Sequence, residues 1–108
     1  MAEPEQVVDV SITAGDPELL ARLVRDMVDS GLVACGNIIP GVRSIYRWDG
    51  AVQDDPETLA VLHTRRSRVD DILAFMAEHH PDETPQVIAT AAVHTHPGYQ
   101  QWVIDSTR

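Results

Sequence analysis

The chain has 108 residues, 44% of them apolar, which suits one domain over residues 1–108 that would gain from extra burial by self-association. Seventeen acidic residues stand against eight basic ones, all arginine, for a formal charge of −9, a balance that disfavours phosphate backbones and anionic membrane surfaces as partners. The single cysteine, Cys35, has no internal disulfide partner; the opening MAEPEQ lacks the basic start and apolar run of a leader, and no stretch reaches the ~20 apolar residues of a membrane span, so the expected compartment is the cytoplasm.

Residues Val7 to Thr13 alternate, with Val8, Val10 and Ile12 on one side and Asp9, Ser11 and Thr13 on the other, which predicts a half-buried strand. Asp16-Pro17-Glu18 then carries an N-cap, a first-turn proline and a first-turn acid. The pairs Leu19/Leu20, Leu23/Val24 and Met27/Val28 recur every four residues and give a helix one apolar face, and Gly31 stands at its expected end. Leu32 to Ile39 predicts a second strand, interrupted by a bend or bulge at Pro40-Gly41 and resuming to Trp48. Asp49-Gly50 marks a tight hairpin turn. The returning strand is expected to break at Asp54-Asp55-Pro56 and resume from Leu59 to Thr64. Ser67 and Asp70 resemble a capping box, followed by a helix with Val69, Ile72, Leu73 and Met76 on its apolar face and Pro81 past its end. A last strand from about Gln86 to His94 and a short helix opened by Pro97 complete the chain.

The order is β-α-β-β-α-β plus a terminal helix, the split βαβ, ferredoxin-like plan: an α+β fold with an antiparallel sheet and both main helices on one face. The hairpin around Asp49 has arms well beyond the ~5–6 residues usual for a strand. Arms of that length overhang a small domain and leave backbone groups for another chain to pair.

The run Ala34-Cys35-Gly36-Asn37-Ile38-Ile39-Pro40, then Ser44-Ile45-Tyr46-Arg47-Trp48-Asp49-Gly50, resembles the signature of the CutA family, a group named for tolerance to divalent cations, copper in particular. Tyr99 and Trp102 resemble its C-terminal Tyr-x-x-Trp, and the likeness runs from about Val7 to Ile104. The chain departs from the pattern where His63 replaces a usual Lys, Asp82 follows His80-Pro81 in place of Tyr, and Gln86 follows Pro85 in place of Glu. The resemblance implies a homotrimer with PII-like architecture, strands paired between subunits, and a binding or regulatory role without catalysis. It also implies an inter-subunit cleft to which Asn37, Arg43, Ser44 and Tyr46 would contribute with Trp48, His63, His80 and Trp102. The alternatives are a structural protein-interaction module and an unrecognised enzyme.

The residues themselves suggest two ligand chemistries. Arg43 and Arg47 beside Tyr46 and Trp48 can clamp a small anion, or anchor an oligomer. His80, Cys35 and the pair His94/His96, two apart at the expected strand end, are the metal candidates, with Asp82 and Glu83 near His80; imidazole and thiolate suit copper. The plainer readings are a buried Cys35, a structural Asn37, partly exposed helix-end histidines at His79-His80, and a solvated loop of acids at Asp54, Asp55 and Glu57. No cofactor is required, and neither a nucleophile elbow nor a phosphate-binding glycine loop is present.

Overall fold

The computed structural model describes residues 5–108; the first four, on which part of the leader reading rests, lie outside the described residues. Strands β1 (Val7–Ala14), β2 (Cys35–Trp48), β3 (Ala51–Arg65) and β4 (Val87–Ala91) form one sheet in the order β2-β3-β1-β4, every neighbouring pair antiparallel. Helices α1 (Pro17–Asp29) and α2 (Val69–His79) connect them, and α3 (Pro97–Ser106) follows. This is the split βαβ arrangement expected from the chain order.

Alternation in the strands decides which residues meet the helices. Val8, Val10 and Ile12 of β1 and Ala60 and Leu62 of β3 join Leu20, Leu23, Val24 and Met27 of α1 and Ile72 and Met76 of α2 in one buried cluster. Both main helices therefore cover the same face. On the other face α3 packs Val103 against Val7 and Ala34 and covers only one end of the sheet.

Helix α1 begins as its sequence requires: the Asp16 carboxylate accepts from the Glu18 and Leu19 amides at 2.9 and 3.3 Å, with Pro17 at the first helical position. It ends in a left-handed Gly31 (φ 78°), where the Gly31 and Leu32 amides donate to the Val28 and Met27 carbonyls. That wrap consumes Leu32, so β2 starts at Cys35 rather than at Leu32.

Three further expectations are corrected. The returning strand does not break at Asp54-Asp55-Pro56; β3 is continuous, and the irregularity lies opposite, where Pro40 and Gly41 face Thr58 alone between the pairs Ile39↔Leu59 and Val42↔Glu57. Pro56 is tolerated because β1 pairs with β3 only as far as Thr58, so beyond it β3 has a neighbour on one side only. Ser67 caps no helix: it sits in a 3-10 turn (Arg66–Arg68), and its hydroxyl and amide both donate to the Glu5 carboxylate. The last strand stops at Ala91, so His94 and His96 lie outside it and share no strand face.

The β2–β3 ribbon overhangs the domain as expected. The molecule measures 49 × 25 × 23 Å, and Ile45 (64%), Trp48 (59%) and Val52 (64%) are largely exposed near the ribbon's far end.

Candidate functional site

The Pro40–Gly41 bulge determines what the ribbon presents. Before it, Cys35, Asn37 and Ile39 pair with His63, Val61 and Leu59; after it, Ser44, Tyr46 and Trp48 pair with Asp55, Gln53 and Ala51. The extra residue switches β2 from odd to even numbers on the face that odd-numbered β3 residues share. Ser44, Tyr46 and Trp48 thereby fall on the face of Asp55 and Glu57, and the other face receives Arg43 and Asp54.

Between this part of the ribbon and the α2–β4 loop lies a cleft of about 660 Å³. Ser44, Ile45, Tyr46, Trp48 and Glu57 form its ribbon wall; Pro81, Asp82, Glu83, Thr84 and Gln86 form its loop wall, with Thr13 of β1 at the base. The Tyr46 hydroxyl donates to Asp55 at 2.6 Å. That bond, with burial and the charges of Asp55, Glu57 and Asp82, raises the Tyr46 pKa above its ordinary value. The cleft is thus electronegative, and among the described residues no arginine or histidine lines it.

His80 holds the loop wall in place from inside. Its side chain is only 1% exposed; Nε2–H donates to the Thr13 carbonyl at 2.9 Å and Nδ1 accepts the Asp82 amide at 3.0 Å. The ring is therefore the neutral Nε2–H tautomer, because a proton on Nδ1 would meet the Asp82 N–H. The expectation of a partly exposed helix-end histidine is corrected, and neither ring nitrogen is left free.

The other candidate residues lie elsewhere. Arg43 is turned away from the cleft and binds Asp54 through Nε and Nη2 at 2.9 and 2.7 Å. The pair lowers the Asp54 pKa and raises that of Arg43. The acids of 54–57 are accordingly not a loose loop: Asp54 and Asp55 each hold a cross-strand partner, and Glu57 is half-buried in the cleft wall.

Asn37, His63 and Cys35 lie on the sheet face under α3, the helix that carries Trp102. His63 Nδ1 lies 2.6 Å from an Asp9 oxygen and Nε2 lies 2.8 Å from the Asn37 amide oxygen, so His63 bridges β1 and β2. Cys35 is half-buried rather than fully buried, its Sγ 3.3 Å from the Tyr99 hydroxyl. Burial, then the hydrogen bond to Cys35, pushes the Tyr99 pKa up to about 12. Tyr99 also stands edge-on to His63 and packs against Trp102, with ring centroids 6.1 and 5.5 Å apart. Asp9 and Tyr99 are the residues of this cluster that reasoning on the chain left without a role; Asp9 was hidden because a strand pattern does not show which cross-strand partner an acid meets.

The metal candidates do not converge. His96 caps α3, its Nδ1 accepting from the Gly98 and Tyr99 amides at 3.0 and 3.4 Å, and His94 is exposed in the preceding loop. Among the described residues no group of three or more His, Cys, Asp or Glu is placed to hold a metal ion.

Residues 8–106 match the model of a family described as CutA1 divalent ion tolerance protein. The chain belongs to that family. It is 31% identical over 105 residues to the divalent-cation tolerance protein CutA of Citrobacter koseri, covering 97% of this chain and 90% of that one. It is 34% identical to the chloroplastic Protein CutA of Arabidopsis thaliana over 92% of its own length, but spans only 54% of that relative. This chain spans little more than half the length of the plant and mammalian relatives it matches. Among solved structures, CutA1 from Oryza sativa superposes with a TM-score of 0.92 at 34% identity, covering 95% of this chain and 94% of that one. The divalent cation tolerance protein from Thermus thermophilus gives 0.92 at 29%, over 94% and 99%. The α+β fold is that of CutA1 structures, and the family's description names a tolerance to divalent ions, not a reaction.

Proposed function

We propose that this CutA1-family chain acts as a homotrimeric, PII-like binding protein in divalent-cation tolerance, without catalysis, and that the cleft beside Trp48 is its binding site, closed where subunits meet. The exposed ribbon carries the assembly. Ile45, Trp48 and Val52 project from an overhang whose β3 arm has β2 alone beside it beyond Thr58, and β2 and β4 leave two open sheet edges. Exposed strand edges with apolar side chains recruit further strands, and the most available partner is another copy of the same ribbon.

The ligand follows from the cleft's charge. A small anion, one of the two chemistries suggested by Arg43 and Arg47, has no support in a cleft lined by Glu57, Asp82 and Glu83 with Arg43 engaged by Asp54. A cation fits. Copper specifically would need ligands drawn from more than one subunit, since His80 is saturated and the remaining candidates are apart.

Sedimentation equilibrium tests the assembly. We expect about three times the 11.9 kDa chain mass at micromolar concentration, and a shift to lower mass when Ile45 and Val52 are both replaced by Glu. A wild-type monomer under the same conditions would overturn the reading.

A further inference from the structure

Resting on the proposal that the cleft is a binding site, we infer that its ligand is an organic cation, an alkyl ammonium or guanidinium group, and not a bare metal ion or an anion. Two aromatic rings, Tyr46 and Trp48, share one wall of the cleft with the carboxylate of Glu57, and Asp82 and Glu83 face them from the loop. Aromatic faces attract cations through their quadrupole, Trp most strongly, and they favour cations that carry hydrocarbon over tightly hydrated ions. Carboxylates add charge-assisted acceptors for N–H donors. At about 660 Å³ the space suits a molecule of several heavy atoms, well beyond one hydrated ion.

Two further observations support this ligand class. The Tyr46 pKa is raised first by the hydrogen bond to Asp55 and then by burial, and the charges of Asp55, Glu57 and Asp82 add to it, so negative charge lies at the hydroxyl end of the aromatic wall. The loop wall is also pre-formed: His80 pins the Asp82 amide from the interior, so Asp82 need not be ordered when a ligand arrives. A metal centre demands several converging ligands, and among the described residues no such group exists. A cation–π cleft demands only ring faces and a negative rim.

The test is NMR titration of the assembled protein, following the indole N–H signals of its two tryptophans, with Trp102→Phe assigning the Trp48 signal. The probes are n-butylammonium and methylguanidinium, compared at matched ionic strength with butyrate, inorganic phosphate and Mn²⁺. We expect a saturable shift of the Trp48 signal with both organic cations. Affinity should fall roughly tenfold in Glu57→Gln/Asp82→Asn, a change that keeps shape and removes two charges. Sedimentation of that variant confirms that the assembly persists. Organic-cation binding unaffected by Glu57→Gln/Asp82→Asn, or no saturable shift with either organic cation, overturns the inference. If butyrate, phosphate or Mn²⁺ alone shifts Trp48, the cleft remains a binding site and only the ligand class is wrong. If no probe shifts it, both readings fall.

Discussion

His80 shows how a residue that looks like a ligand becomes a structural strut. Both nitrogens are used inside the subunit, one on a carbonyl 67 residues away, and the His79-His80 pair gave no sign of this because the partner lies on another strand. His80→Ala leaves the Thr13 carbonyl and Asp82 amide unpaired over a buried void, and should cost about 2–4 kcal/mol by denaturant unfolding. Gln cannot place its Oε1 acceptor and Nε2 donor where the His80 ring holds Nδ1 and Nε2–H, so His80→Gln should recover only part of that loss. Tyr99 makes a prediction at alkaline pH. Its folded pKa, about 12, lies above the ordinary 10, so between these values the unfolded chain has released a proton that the folded chain keeps. Stability is therefore complete below about pH 10 and falls as pH rises towards 12, and Tyr99→Phe should flatten that fall in alkaline unfolding midpoints.

At the scale of elements, features encoded within a few residues were legible and features that depend on remote pairing were not. The cap at Asp16, the stop at Gly31 and the turn at Asp49-Gly50 occur where their residues stand. Asp16→Ala should cost about 1 kcal/mol in thermal unfolding. The supposed break at Asp54–Pro56 failed because a proline is forbidden only where both edges of a strand are paired, and sequence does not reveal where β1 ends alongside β3. Ser67 failed for a related reason: Glu5, distant in the chain, takes its hydroxyl. Gly36 is a contact that no pattern announced. A Cβ there would stand 2.6 Å from Val24 Cγ1 and 3.0 Å from Leu62 Cδ2, so α1 lies against β2 only because this position is bare. Gly36→Ala should destabilise by about 1–3 kcal/mol, and adding Val24→Ala should return part of it, which a double-mutant cycle measures.

For the whole molecule, the long ribbon was legible from its apolar residues and turn, while the division of the candidate residues between cleft, ribbon back and α3 face was not. Those placements depend on β2 parity after the bulge and on where α3 docks, neither of which a linear motif encodes. Each chain also brings a charge of −9 to an assembly, so like charges oppose association at low ionic strength. Raising salt from a few millimolar to physiological strength should therefore tighten the oligomer, read as a fall in the subunit dissociation constant by sedimentation. The bulge finally makes the count of residues between Ile39 and Asp49 behave like a reading frame. Deleting Gly41 would restore a regular ladder and turn the distal half of β2 over, sending Arg43 and Arg47 to the cleft and Ser44, Tyr46 and Trp48 to its back, with every residue near the turn still present. The proximal sheet and helices would not register the loss, so a length change of one residue there erases the site while sparing the fold.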